Sequence, residues 1–418
     1  MSRRLYLDNA ATSFPKAPGV AEAVHRYLTE VGATPGRATY AESREGGRII
    51  RQCRERICRL INGEDPEHVV FTLNTTDALN VAIKGVVAHR RRANPDRHVH
   101  IVSSAMDHNS VLRPFNALAR DGVSWTCVPA DAEGFICAAD VERAIGPDTA
   151  LVALSHASNV TGSIQPVEAV GEICRQRGVL FLLDAAQSLG HMPVDARTTR
   201  ADMLAFPGHK GLLGPLGTGG LYLRPGVEEL VDTLREGGTG TASELDHQPA
   251  FMPDKYEPGS HNAVGIAGLS EAVGWLLDHA VPENFGHEGE LVSAMLAELR
   301  ARGVRHGPGE ESDAPSGPLA RMRLLGPAEA ARRVGVFSLV HDTASPHEIA
   351  AVLESSFGIL SRPGLHCAPR AHAAMGTLQE RGALRLSVGP FVTAEDVQNT
   401  CEALAEIAAS LAPAAIST

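Results

Sequence analysis

The chain's 418 residues exceed what one hydrophobic core usually organises, which implies a large domain and a smaller one around a shared interface. Hydrophobic residues make up 44% and charged residues 21%, an ordinary globular balance that excludes wholesale disorder. A formal net charge of -11 argues against nucleic acid as the main partner, because neutralising phosphates takes a surplus of Lys and Arg. The basic run Arg90 to Arg92, with Arg97 nearby, follows a helical pattern and reads as a solvated loop ahead of Pro95. Cys53, Cys58, Cys127, Cys137, Cys174, Cys367 and Cys401 are scattered, odd in number and without a C-x-x-C pair, so a reducing compartment fits and no metal site is expected. No stretch approaches the apolar length of a membrane span, and Met1 to Phe14 carries Asp8 and Asn9 in place of an apolar leader core. The expectation is a cytoplasmic protein off the membrane.

In chain order, short β-rich runs alternate with helical patterns. The strands are expected at Val69 to Thr72, Val99 to Ser103, Trp125 to Pro129, Leu151 to Ser155, Val179 to Asp184, Met203 to Phe206 and Gly220 to Leu223, with helices such as Thr76 to Ala88 and Val167 to Arg177 between them. Several strands are apolar throughout, which predicts an α/β domain with a mostly parallel seven-stranded sheet covered on both faces. After Ser260 come helices over Val264 to His279 and Glu288 to Arg302, then a Gly/Pro-rich loop, Gly307 to Pro318. Strands at Val334 to His341 and Ala383 to Val388, with helices at Pro346 to Phe357 and Ala394 to Leu411, complete a smaller α+β unit. The expected division assigns 15–265 to the large domain, and 1–14 with 266–418 to the small one.

In a parallel sheet, functional groups gather beyond the carboxyl ends of the strands. Polar clusters stand there at Asn74 to Asp77, Asp107 to Asn109, Ser155 to Asn159, Asp184 to Gln187 and His209 to Lys210. Lys210, flanked by small residues at a strand end, could be desolvated into a good amine nucleophile, although a lone lysine there is more often solvated. The glycines after it lead into a strand and not a helix, which speaks against a dinucleotide loop. Asp184 ends an apolar strand, where a carboxylate needs a cation or a donor; a helix N-cap is the plain alternative.

The pair Asp184 and Gln187, followed by His209-Lys210, resembles the class V aminotransferases of the fold-type I pyridoxal-phosphate enzymes. Leu7-Asp-Asn-Ala-Ala-Thr12 and Phe71-Thr-Leu-Asn-Thr-Thr-Asp-Ala-Leu-Asn80 extend the likeness nearly end to end. The resemblance implies Lys210 as the covalent anchor of pyridoxal 5'-phosphate and Asp184 as partner of its ring nitrogen. Thr75, Thr76 and His209 would hold phosphate at a helix N-terminus, His108 would stack on the ring and move protons, and Asn159 with Gln187 would meet the phenolic oxygen. Ser260, in Tyr256-Glu-Pro-Gly-Ser260, would reach into the partner's site of a homodimer.

Ser361-Arg-Pro-Gly-Leu-His-Cys367-Ala-Pro resembles the short active-site cysteine loop of cysteine desulfurases related to selenocysteine lyases. Cys367 would then take sulfur from L-cysteine as a persulfide, leaving alanine, with Arg385 and Arg362 gripping the substrate carboxylate. His366 and Arg362 would favour the thiolate. An acceptor protein would take the sulfur onward; iron–sulfur cluster assembly is one destination among several. L-Selenocysteine lysis, another C–S lyase or transaminase activity, and a non-catalytic cofactor-binding scaffold are the alternatives. Two departures stand out: Pro207, where the family carries a hydroxyl residue contacting phosphate, and Leu365, where close relatives carry a second histidine.

Overall fold

The computed structural model describes residues 4–36, 38–279, 283–307 and 317–411. All seven expected strands of the large sheet are present, with ends shifted by at most two residues. Their spatial order is Val69–Thr72, Gly219–Leu223, Met203–Pro207, Leu180–Asp184, Thr149–Ser155, His100–Ser104 and Ser124–Val128. Only Gly219–Leu223 runs antiparallel to its neighbours. The strands from Thr149, Leu180, Met203 and Gly219 are buried at every position, as helices on both faces require.

Helix Thr75–Ala93 shows how local sequence builds the site's floor. Asn74 caps it by accepting from the Asp77 amide at 3.0 Å. Its apolar residues, among them Ala78, Leu79, Ala82, Ile83 and Val86, are buried. Arg90, Arg91 and Arg92 close its last turn, where cations oppose the helix dipole, so the expected loop is helix. Arg92 pairs with Asp232 at 2.8 Å.

The smaller unit has a five-stranded sheet ordered Arg362–Gly364, Ala383–Ser387, Val336–His341, Met322–Leu325 and Arg305–His306. Leu7 packs into its core with residues such as Phe337, Leu384 and Leu404, which supports our proposal that the N-terminal segment belongs there. For the division expected at 265/266 we propose a later position. Helix Ala263–His279 runs across it and buries Ile266, Leu269, Val273 and Leu276 in the core that includes Val20 and Ile57. A helix buried on the large unit moves with it, so the proposed division falls after His279. The expected loop Gly307 to Pro318 lies mostly outside the described residues.

Arg54, on helix Ala41–Leu60, forms a buried two-pronged pair with Glu257, one prong at 2.7 Å. Glu257 also accepts from the Phe71 amide at 2.6 Å and lies 3.1 Å from the His261 imidazole. One carboxylate therefore joins a helix, the strand that leads to Thr75, and the segment that carries Ser260. Removing one partner of such a pair leaves an uncompensated buried charge. Glu257→Ala is expected to lower unfolding free energy in urea by about 3–5 kcal/mol. Glu45→Ala, which breaks exposed pairs with Arg26 and Arg48, should cost below about 1 kcal/mol. Equal shifts in the two variants would remove Glu257 from this role.

Candidate active site

The polar strand ends converge. Thr75, Thr76, His108, Asn159, Asp184, Gln187, His209 and Lys210 line one cavity. Asp107 holds two of the strand ends together: its carboxylate accepts from the Ser104 amide and hydroxyl at 2.6 and 2.9 Å, and from the Ser155 amide at 2.6 Å. That brace sits directly before His108.

Burial sets the charge states. Lys210 is half-buried at the cavity wall, and desolvation lowers its pKa to about 8 against the attraction of Asp184. Asp184 is pushed up to about 6, also by burial, although Oδ1 accepts from the Ala186 amide at 3.0 Å. Neither joins an ion pair within 4 Å among the described residues. His108 is lowered to about 3, first by burial and then by Lys210. Its Nδ1 accepts from the Ser110 amide at 3.1 Å, so the neutral ring carries its proton on Nε2. His209 is lowered to about 4 by burial, and its Nδ1 has no partner.

This set matches a ligand with a phosphate, an aldehyde and a basic ring nitrogen. A phosphate would find the start of a 19-residue helix at Thr75 and Thr76, and the unpartnered Nδ1 of His209. An aldehyde would find the desolvated amine of Lys210, and a ring nitrogen the buried carboxylate of Asp184. Pyridoxal phosphate has these three features, and the residues fit it.

The small unit closes the site from the other side. Arg385 is 1% exposed; its Nη2 binds Asp8 at 2.7 Å, its Nη1 donates to the Asn159 carbonyl at 3.2 Å, and its Nε is buried without a partner. Arg362 stands directly opposite Arg385 on the neighbouring strand. Like charges in that register repel, and Asp8 offsets one of them, leaving a place for an anion. His366 and Cys367 follow, both in the left-handed region at φ 49° and 58°. Two large-domain donors hold their carbonyls: Asn159 Nδ2 to His366 at 2.6 Å and the Asn109 amide to Cys367 at 2.9 Å. Asn109 follows His108, and Asn159 lines the cavity, so the loop that carries the exposed Cys367 is fastened beside that cavity. Gly382, at φ 98°, lets this loop close, because a Cβ there would meet the Gly364 carbonyl oxygen at 2.0 Å.

Several expectations change. His366 does not favour a thiolate by charge: its ring is buried, its pKa is held far down by desolvation, and it bonds the Arg362 carbonyl at 3.0 Å. Ser260 is exposed and is not among the residues lining this chain's cavity. Gln187 spends one amide hydrogen on the Ala10 carbonyl at 3.0 Å, which ties the N-terminal segment to the pocket. Pro207 ends its strand opposite Gly219 and does not line the cavity, whereas Leu365 is 36% exposed beside Cys367. Sequence reasoning missed the pairing of Asp8 with Arg385. It also missed Lys16, whose ammonium reaches the His209 carbonyl at 3.1 Å and is lowered to about 8 by burial. The signal for Lys16 was rarity: the chain has only the lysines Lys16, Lys84, Lys210 and Lys255.

The aminotransferase class-V family model matches residues 5–400. Probable cysteine desulfurases from Methanothermobacter thermautotrophicus and Halalkalibacterium halodurans are each 32% identical to this chain, covering 97% and 96% of it and 94% and 92% of their own lengths. The apo structure of a cysteine desulfurase from Thermococcus onnurineus is similar with a TM-score of 0.85 at 28% identity, over 98% of this chain and 95% of that one. Family match, full-length relatives and fold agree with the strand-end pocket, and the chain belongs to the class V aminotransferase family.

Proposed function

We propose that this protein is a pyridoxal-phosphate-dependent cysteine desulfurase that moves sulfur from L-cysteine to Cys367 and leaves L-alanine. The observation that supports the reading is the double tether of the cysteine loop to Asn109 and Asn159, which holds the segment carrying the exposed Cys367 beside the pocket. A transaminase has no use for that arrangement.

Pyridoxal phosphate, when bound, draws electrons away from the substrate's Cα. Lys210 anchors the cofactor, and its amine, held near neutrality by burial, takes and returns the Cα proton. The Asp184 carboxylate holds the proton on the ring nitrogen. Arg385 and Arg362, opposite each other on neighbouring strands, orient the substrate carboxylate. His108, which lines the cavity, keeps its proton at Nε2. Cys367 Sγ, as thiolate, attacks the substrate sulfur: a sulfur–sulfur bond forms, the substrate's Cβ–S bond breaks, and its electron pair is protonated at Cβ. The products are a Cys367 persulfide and alanine, so thiol plus cysteine balances persulfide plus alanine.

The same reading makes the protein a cytoplasmic homodimer that hands sulfur to an acceptor protein. All seven cysteines are free, which suits a reducing compartment, and no described helix is long and apolar enough to cross a membrane. Leu73 and Leu216 are 57% and 66% exposed, at the end of the paired strands Val69–Thr72 and Gly219–Leu223. Asn262 binds the Gly217 carbonyl at 2.9 Å, which places the Ser260 segment on the same face. A second copy seated there would cover these leucines and receive Ser260.

Cys367→Ala should abolish alanine release from L-cysteine and the mass gain of one sulfur, with cofactor absorbance unchanged; alanine release at the parent rate would overturn the sulfur transfer. Lys210→Ala should slow turnover by about 10²–10⁴-fold, the usual worth of a positioned proton carrier. Capture of the cofactor aldehyde needs the free amine. In protein stripped of cofactor the capture rate should therefore rise with pH and level off near the Lys210 pKa of about 8. A rate still climbing toward 10.5, the ordinary lysine value, would mean that Lys210 is not desolvated.

A further inference from the structure

The left-handed turn at His366 and Cys367 costs free energy that the surroundings must offset, because side chains other than glycine crowd the backbone there. Asn109 and Asn159 secure the carbonyl side of that turn. The ring side is secured by a chain of hydrogen bonds whose direction is fixed at one end. His366 Nε2 lies 3.0 Å from the Arg362 carbonyl, which can only accept, so Nε2 carries the proton and Nδ1 is bare. His372 Nε2, at 3.3 Å from that Nδ1, must donate. The Nδ1 of neutral His372 is then an acceptor, supplied by the Thr377 hydroxyl at 2.7 Å. His372 and Thr377 are fully buried and His366 nearly so, so water does not compete for these bonds.

A buried histidine with its hydrogen bonds satisfied is commonly no more than core. Here its single donated proton lands on the ring of the residue that precedes the reactive thiol. The short helix Pro369–Ala374, which carries His372, starts two residues after Cys367. We propose that His372, oriented by Thr377, is a positioning residue for Cys367: it fixes the His366 ring, and with it the turn that presents the thiol. The inference rests on the desulfurase reading and extends it to residues that touch neither cofactor nor substrate. A thiol displaced by about 1 Å loses much of its advantage in attack, which is why such a brace matters to rate.

The test uses the cofactor-loaded enzyme and three variants. Thr377→Val removes the hydroxyl at constant shape, His372→Ala removes the ring, and His372→Gln keeps one donor and one acceptor. Alanine formation from L-cysteine gives kcat and KM. Hydrogen exchange at the Asn109 amide, which binds the Cys367 carbonyl, and over residues 365–368 reports the turn directly. Thr377→Val and His372→Ala should lower kcat about tenfold with KM within about twofold, and speed exchange at those amides alone. His372→Gln should recover most of both. Parent-like kcat and local exchange in Thr377→Val would overturn the proposal, as would faster exchange spread evenly over the protein. Should His372→Ala fail to fold, Thr377→Val decides. A parent enzyme that releases no alanine would remove the desulfurase reading, while the exchange arm would still decide whether His372 holds the turn.

Discussion

A desolvated ammonium and a buried carboxylate share one cavity at the carboxyl ends of adjacent strands, and desolvation brings their proton affinities toward each other. Lys210 falls to about 8 and Asp184 rises to about 6. Each charge is costly in a low-dielectric interior, and the sheet core accepts the cost because the strands beneath are buried along their whole length. The result is an amine that can give up its proton near neutrality, beside a carboxylate ready to hold a ring-bound one. Neighbouring groups reinforce the pattern: His108 and His209 are neutral for the same reason, so the cavity offers hydrogen bonds without adding cations.

The two units are bound together at the site. Asp8 reaches Arg385, Gln187 reaches Ala10, and Asn159 takes part in two links, through its side chain to His366 and its carbonyl to Arg385. Movement of the small unit would therefore disturb Arg385, the Cys367 loop and the pocket wall together. Chemistry that needs all three in one place is served by such coupling.

The strand-end clusters were legible because a parallel sheet obliges polar residues after apolar runs to converge, and a likeness to a known family turned that convergence into roles. The strands were legible for the same reason, since each is short, apolar and bounded by turn residues. What could not be read was pairing across the chain. Nothing local marks Asp8 as the partner of Arg385, Glu257 as that of Arg54, or His372 as a support for His366; these depend on how distant segments pack. Helix Ala263–His279 was legible, but the core that receives it was not, because periodicity gives a helix its apolar face and not its packing partner. His366 was misjudged for a related reason: a histidine beside a cysteine suggests a cation, and only burial shows that it stays neutral.

The central claim is that the cavity at Lys210 and Asp184 holds pyridoxal phosphate through that one lysine. Borohydride reduction of the cofactor-loaded protein, followed by peptide mass mapping, tests it most directly, since the chain has only four lysines to distinguish. The account predicts the reduced cofactor on the peptide containing Lys210 and on no other. Label on Lys16, Lys84 or Lys255, or none at all, would contradict it.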